Sequence, residues 1–210
     1  MVTKQHIISA IVVLFHLVGL WGFLSPELTP LFIELVPLHL LSMLLLLVIS
    51  GYDRSAGILM FACIVYSAGF LIEVAGVNSG LIFGRYSYGS TLGIKLWETP
   101  LLIGVNWLLL VYCTGILLGK YKLNRFIFAL TGAAILVMID ILIEPVAVKY
   151  DYWQWLDGPI PFQNYSGWFL VSFCLFLVFF SIEFKKQNSA AVVLLISQVC
   201  FFMGLNVWGT

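Results

Sequence analysis

The chain has 210 residues, of which 62% are hydrophobic, 16% aromatic and only 10% charged. A soluble domain of this length needs a surface rich in charged side chains, and this composition excludes one. The formal net charge is +0, so no basic surface for nucleic acid is expected. In a bilayer only helices or closed barrels satisfy the backbone, and these apolar runs lack the alternation of barrel strands. We therefore predict an all-α, polytopic integral membrane protein.

Seven apolar runs follow one another, each close to the roughly 20 residues that a helix needs to cross a bilayer. Pro37 lies inside the second predicted span, Pro100 lies in the first turn of the fourth, and Pro145 ends or kinks the fifth. We expect a single transmembrane domain over residues 1–210. The predicted spans are Ile7–Leu24, Leu31–Ile49, Ser55–Ala75, Thr99–Leu118, Arg125–Val148, Ser166–Glu183 and Ala190–Trp208.

Two connections, residues 76–98 and 149–165, are longer than the others and rich in Tyr and Trp. Long ordered loops often carry function, although their aromatics also suit a membrane-interface belt. The N-terminus and the loops after spans 2, 4 and 6 hold seven of the ten Lys and Arg residues. This bias predicts a cytoplasmic N-terminus, with both long loops on the opposite side of a bacterial cytoplasmic membrane.

Five acidic residues lie within or at the ends of predicted spans near that non-cytoplasmic side: Glu34, Glu73, Glu98, Asp140 and Glu144. Glu73, Asp140 and Glu144 are the stronger candidates for a proton-transfer site. Asp140 and Glu144 are four residues apart and share a helix face. A carboxylate within the bilayer is costly and normally faces the bundle interior or a cavity. A buried pair that holds one proton supplies one acid and one base. The alternative is a structural pairing with Arg85, Lys95 or backbone groups.

The function classes that the chain excludes narrow the chemistry further. It has no Walker motif, dinucleotide fingerprint or nucleophile elbow, and the last span lacks the lysine of a retinal Schiff base. His16 and His39 do not have metal-ligand spacing. What remains is acid–base chemistry on an apolar molecule dissolved in the bilayer. Abundant aromatic side chains suit a polyene or prenyl chain and can stabilise a carbocation.

Several spaced blocks of sequence carry a family resemblance. They are Glu73-Val-Ala-Gly-Val-Asn78-Ser-Gly80, Phe83-Gly-Arg-Tyr86-Ser-Tyr88, Pro100 with Asn106-Trp107, Asp140-Ile-Leu-Ile-Glu144-Pro-Val-Ala147, Tyr152-Trp-Gln-Trp155 and Pro161-Phe-Gln-Asn164-Tyr-Ser-Gly-Trp168-Phe169. Together they resemble the CruF-type carotenoid hydratases. This family is also called the carotenoid biosynthesis proteins and includes the bisanhydrobacterioruberin hydratases. The resemblance covers about residues 73–169. The family's Gly-Val-Pro-like run is replaced here by Trp97-Glu98-Thr99-Pro100, which weakens any role for Glu98.

The resemblance implies addition of water across the terminal C1–C2 double bond of an acyclic ψ-end carotenoid such as lycopene or γ-carotene. It implies no cofactor and no metal. Asp140 and Glu144 are then the acid/base pair, and Glu73 is a third catalytic carboxyl. We expect membrane lipid and other carotenoid-pathway enzymes as partners. The expected substrate-binding residues are Asn78, Tyr86, Tyr88, Asn106, Trp107, Asn164 and Trp168.

Three other functions fit the same residues. A lycopene-cyclase-like isomerase also begins by protonating a ψ-end, but an internal alkene captures the cation. A non-enzymatic membrane protein that binds carotenoid needs the pocket without the chemistry. A prenyltransferase of the UbiA kind is the weakest of the three. Asp140 and Glu144 resemble half of its Asp-rich diphosphate motif, but the second motif is missing.

Overall fold

A computed structural model describes residues 4–51 and 53–209, and these form eight helices and four short strands. The helices are α1 Lys4–Leu24, α2 Thr29–Glu34, α3 Val36–Ser50, α4 Ala56–Ser79, α5 Leu102–Leu118, α6 Arg125–Lys149, α7 Phe162–Ser181 and α8 Ser189–Trp208. The strands are β1 Tyr86–Tyr88, β2 Lys95–Leu96, β3 Thr99–Pro100 and β4 Trp153–Trp155.

The helices pack as a bundle around α5. This helix is buried along most of its length and contacts α3, α4, α6, α7 and α8. Helices α1, α4, α6, α7 and α8 are long and apolar enough to cross a membrane, and α3 and α5 are shorter apolar helices. The chain is therefore a polytopic helical integral membrane protein, as its composition predicted.

The two ends of the bundle are held by different contacts. We call the end with Ser79 and Lys149 the outer end, following the predicted orientation. There Phe23 packs against Tyr150 with ring centroids 4.9 Å apart, and Lys149 Nζ donates to the Gly209 carbonyl. At the opposite, inner end the Ser50 hydroxyl donates to Asn188 Oδ1 at 2.9 Å.

The second predicted span is not one continuous helix. It divides at Leu35 into α2 and α3, and each of these begins with a proline in its first turn, Pro30 and Pro37. Proline has no N–H to donate, so it suits a first turn, where the N–H lacks an intrahelical partner. The prediction of a single span with Pro37 inside it was wrong for this reason.

Other proline and glycine positions shift the predicted boundaries. Pro100 lies in β3, paired with Lys95, and α5 begins only at Leu102, so its predicted place in a helical first turn was wrong. Helix α4 continues to Ser79 and stops at Gly80, whose φ of 67° is accessible mainly to glycine. Helix α6 does not end at Pro145 but continues through it to Lys149.

The two long loops are joined by a β-ribbon that the all-α prediction did not include. Strands β1 and β4 pair antiparallel, with Tyr86 opposite Trp155 and Tyr88 opposite Trp153. We call these two strands the aromatic ribbon. The sequences Tyr-Ser-Tyr and Trp-Gln-Trp place aromatic side chains at alternate positions, which favours strands. The ribbon packs against α6 at the outer end of the bundle.

Candidate active site

Three carboxyl groups are buried in the outer half of the bundle. Glu73 on α4 is 3% exposed, and Asp140 and Glu144 on α6 are 0% and 1% exposed. Glu73 lies six residues before the end of α4, and Glu144 five residues before the end of α6. At 1.5 Å per residue, both are about 8–9 Å below the outer end. The helices therefore bring Glu73 and Glu144 to one level, and Asp140 lies about one helical turn deeper on α6.

Glu73 accepts three hydrogen bonds from aromatic side chains. The Tyr86 and Tyr88 hydroxyls donate to Oε2 at 2.6 and 2.8 Å, and Trp107 Nε1 donates to Oε1 at 2.9 Å. Burial and the charge of Glu73 raise the pKa of both phenols above the ordinary tyrosine value. Both hydroxyls therefore keep their protons and can donate to Glu73.

Glu144 also accepts three hydrogen bonds, but all of them come from N–H groups. Trp153 Nε1 and Trp155 Nε1 donate to Oε2 at 3.1 and 2.9 Å. Asn164 Nδ2 donates to Oε1 at 3.1 Å. An indole or amide N–H has no lone pair with which to accept a proton in return. These three hydrogen bonds therefore favour the carboxylate form of Glu144.

Asp140 reaches this group through Asn164. The Asn164 amide donates to Asp140 Oδ2 at 2.7 Å and, from the same nitrogen, to Glu144. Asp140 Oδ1 is buried without a hydrogen-bond partner among the described residues. Buried polar atoms are rarely left unpaired, and exceptions point to a functional role. Asn164 thus connects Asp140 to Glu144, one of the two carboxyls that accept hydrogen bonds from the aromatic ribbon.

The aromatic ribbon supplies four of the six donors. Residues two apart on a strand face the same side, so Tyr86 and Tyr88 reach Glu73 while Trp153 and Trp155 reach Glu144. Trp153 and Trp155 were not among the predicted site residues. Their Trp-x-Trp spacing, matching the Tyr-x-Tyr of the partner strand, was the signal that could have identified them.

A close approach between helix α4 and the loop before the ribbon depends on Gly76. A methyl group at this position would lie 2.7 Å from the Phe83 ring and 3.1 Å from the Tyr86 hydroxyl oxygen. Neither distance leaves room for a side chain. Gly76 therefore allows Tyr86 to reach Glu73, which lies three residues earlier on the same helix.

Two cavities with shared lining residues lie at this site. A small one of about 20 Å³ is lined by Glu73 and Glu144 together with their aromatic partners. A larger, mostly apolar pocket of about 470 Å³ extends between α1, α3, α5 and α8. Ile103 and Trp153 line both cavities. An apolar molecule in the larger pocket therefore lies one side chain away from the two carboxyls.

The remaining predicted substrate-binding residues lie in three different places. Asn164 and Trp168 line the small cavity, and Trp168 stacks on Trp107 with ring centroids 4.3 Å apart. Asn106 lines the larger pocket. Asn78 is exposed and donates to the Val74 and Trp97 carbonyls, so it is not brought to either cavity. Five residues after Glu73, its side chain points about 140° away around the helix.

The charged residues nearby do not pair with the buried carboxyls. Arg85 lies 3.1 Å from Asp157 on the surface, and Lys95 Nζ donates to the Tyr88 carbonyl at 2.5 Å. Glu34 and Glu98 are exposed. Within the described part of the chain, no group of three or more His, Cys, Asp and Glu residues is arranged to hold a metal ion. The site is thus three carboxyls held by neutral donors.

Comparisons with known proteins agree with the sequence resemblance. The family model described as "Carotenoid biosynthesis protein" matches residues 33–210. Over 141 residues the chain is 30% identical to a bisanhydrobacterioruberin hydratase of Haloarcula japonica, an alignment covering 60% of this chain and 45% of that protein. The chain thus spans less than half the length of this curated relative. No solved structure matches the chain.

Proposed function

Because the chain belongs to the carotenoid biosynthesis protein family, we propose that it is a carotenoid hydratase. The proposed reaction adds water across the terminal C1–C2 double bond of an acyclic ψ-end carotenoid and gives a tertiary alcohol. The relative of similar sequence is named as a hydratase, which supports this reaction class. The proposed substrate and catalytic roles rest on the geometry of the site.

The main support is the small cavity between Glu73 and Glu144. Its volume of about 20 Å³ exceeds the 10–15 Å³ that one water molecule needs. Two carboxyls on the walls of a one-water cavity are what hydration requires, since one must give a proton to the alkene and the other take one from water. The adjoining pocket of about 470 Å³ is apolar enough to hold the polyene.

The hydrogen-bond partners suggest which carboxyl does which task. A protonated Glu73 can donate to a phenol oxygen of Tyr86 or Tyr88, because a hydroxyl both donates and accepts. Glu144 has only N–H partners, which cannot accept its proton. We therefore assign Glu73 as the acid and Glu144 as the base. This differs from the pair that the sequence suggested, in which Asp140 was one of the two members.

The reaction then balances without any further reactant. Glu73 transfers its proton to C2, the π electrons form the new C–H bond, and a tertiary cation is left at C1. The Trp153 and Trp168 rings that line the cavity can stabilise this cation. Water bonds to C1 and loses a proton to Glu144. That proton returns to Glu73 through the next water molecule, which restores both carboxyls.

Asp140 is proposed as a positioning residue. Asp140 accepts a hydrogen bond from the Asn164 amide nitrogen and so orients that amide toward Glu144. In an Asp140→Asn variant we expect kcat to fall about tenfold with an unchanged KM, because the substrate does not touch Asp140. A shift of the basic or acidic limb of the kcat–pH profile would accompany this loss, whereas a merely structural role would leave the profile unchanged.

The decisive experiment is mass spectrometry of carotenoids from a lycopene-producing host with and without this chain. A new product heavier by one water supports the hydratase. An isomer of unchanged mass would instead indicate a cyclase. Bound pigment without any new product would indicate a binding protein. Glu73→Gln and Glu144→Gln variants that remain folded should both lose the hydrated product.

A further inference from the structure

The space between helices α3 and α4 is closed in the outer half of the bundle by the chain itself. The loop before α5, which includes strands β2 and β3, lies there. A methyl group at Gly93 would lie 3.6 Å from the Pro37 ring of α3. The Trp97 ring lies 6.5 Å from the Phe70 ring of α4, measured between centroids. In the outer half, therefore, a part of the chain lies between the two helices.

The inner half of the same space holds a pocket of about 390 Å³, with α5 as its floor. Its helical walls are mostly apolar and include Leu44 and Val48 of α3, Leu59 and Ala62 of α4, and Leu109 of α5. Leu44 and Ala62 each lie six residues, or roughly 9 Å, from the inner ends of their helices. Val48 and Leu59 are 52% and 66% exposed, so the pocket opens on the face that lipid covers. We call this pocket the inner groove.

Charged side chains line the mouth of the inner groove. Arg54 and Lys185 bring two positive charges there, and Asp53 brings one negative charge. Asp53 accepts hydrogen bonds from the backbone N–H groups of Lys185 and Ser55 at 2.5 and 2.8 Å, and these bonds lower its pKa. Arg54 Nη1 donates to the Asp53 carbonyl at 3.1 Å, whereas a guanidinium carries five N–H groups. The mouth therefore favours an anion and has N–H groups with which to bind it.

A neutral hydrogen-bond donor lies just inside this mouth. Tyr112 of α5 lines the groove, and its hydroxyl accepts from Asn188 Nδ2 at 3.3 Å. Asn188 immediately precedes α8, so this hydroxyl lies near the inner end. The phenol also carries a hydrogen that it can donate to an oxygen. From the inner end the groove thus presents cations, then a hydroxyl, then hydrocarbon. A phospholipid has the matching order of groups, since its phosphate is followed by ester oxygens and then by acyl chains.

We propose that the inner groove binds an anionic phospholipid. Its headgroup phosphate lies at Arg54 and Lys185, and one acyl chain lies between α3 and α4. Charge selects this occupant, because basic pockets between membrane-spanning helices bind anionic headgroups. An apolar molecule leaves these cations without an anion, and a zwitterionic headgroup adds a positive charge beside them. The groove lies at the opposite end of the bundle from Glu73 and Glu144, so this inference does not depend on the proposed reaction.

The test measures lipid binding to the whole chain purified in a neutral detergent. Phosphatidylglycerol and phosphatidylcholine with the same acyl chains are titrated separately, and native mass spectrometry counts the lipids that stay bound. We expect one phosphatidylglycerol molecule to bind about tenfold more tightly than phosphatidylcholine. In Arg54→Gln this preference should disappear, because the variant loses its charge-assisted hydrogen bonds to the phosphate. The affinity for phosphatidylcholine should not change.

Arg125→Gln is the matched control, since Arg125 is an exposed arginine at the start of α6 that does not line the groove. It should keep the preference of the wild type. Ala62→Phe fills the groove and leaves its cations in place, so this variant, once shown to be folded, should bind both lipids more weakly. The proposal is wrong if the wild type binds both lipids equally, if the two arginine variants behave alike, or if folded Ala62→Phe binds phosphatidylglycerol normally. It is also wrong if inorganic phosphate at the same concentration displaces the lipid.

Discussion

Aromatic side chains are abundant in both halves of the bundle, but their contacts differ between the two halves. In the inner half Phe61, Phe128, Phe176 and Phe179 are buried and pack ring against ring, with Phe61 and Phe179 centroids 5.3 Å apart. In the outer half tyrosines and tryptophans lie among the aromatics, and the polar atoms of Tyr86, Trp107 and Trp155 bind Glu73 and Glu144. Phenylalanine thus stabilises the bundle, whereas tyrosine and tryptophan make buried carboxylates tolerable there.

The largest effect that this contrast predicts is the loss of hydration rate when Glu144 is replaced. Glu144→Gln keeps the size of the side chain and removes its ability to take a proton. We expect the hydration rate to fall by about 10²–10⁴, the usual contribution of a general acid or base, measured as hydrated product per protein. Glu98→Gln, on the exposed turn between β2 and β3, should keep wild-type activity. An active, folded Glu144→Gln would remove Glu144 from the chemistry.

In the inner half, the stability of the protein should depend on side-chain volume rather than on side-chain polarity. A methyl group at Gly132 would lie 2.5 Å from the Phe176 ring, so Gly132→Val overpacks the contact between α6 and α7. We expect a loss of about 1–3 kcal/mol, seen as a lower unfolding temperature in nanodiscs. Ala134→Val, on the exposed face of the same helix, is the control. Equal stability of the two variants would show that the inner aromatics do not pack as described.

Removing a single hydrogen-bond donor in the outer half should lower the hydration rate more than the stability of the protein. Trp155→Phe keeps a ring in the aromatic ribbon but removes one of the three donors to Glu144. We expect hydration to slow about tenfold, which corresponds to the loss of one hydrogen bond to a charged group. Trp97→Phe is the control, because Trp97 is 61% exposed and lines neither cavity. An unchanged rate in Trp155→Phe would mean that this bond is dispensable.

The helices and the buried carboxyls could be predicted because each leaves a local signal. An apolar run of about 20 residues indicates a span, and an acidic residue inside such a run indicates a buried group. The break at Leu35 was missed because a proline inside an apolar run is compatible with either a bend or a new helix. Length and hydropathy alone do not separate these two outcomes.

The aromatic ribbon could not be predicted in the same way. Strands β1 and β4 are three residues each and lie 64 residues apart in the chain, so their pairing depends on where α4 and α6 bring the loops. The division of donors between Glu73 and Glu144 depends on that pairing. The same holds for Asp140, whose distance of four residues from Glu144 suggested a direct pair. The side chain of Asn164, from α7, instead joins the two.

The smallest effect is expected at the surface of the outer half, and it tests whether charge there matters at all. Arg85 and Asp157 form an ion pair at 3.1 Å, with side chains 66% and 61% exposed. Such pairs contribute at most about 1 kcal/mol because water screens them and both side chains lose freedom. Arg85→Ala should therefore leave the unfolding temperature almost unchanged. The hydration rate should stay within about twofold of the wild-type rate. The pair nevertheless joins the residues that flank β1 and β4, so a large loss of rate with normal stability would reveal that it holds the ribbon in register. In that case the buried donors would depend on a surface charge, and the division between a packed inner half and a hydrogen-bonded outer half would have to include the loops outside the bundle.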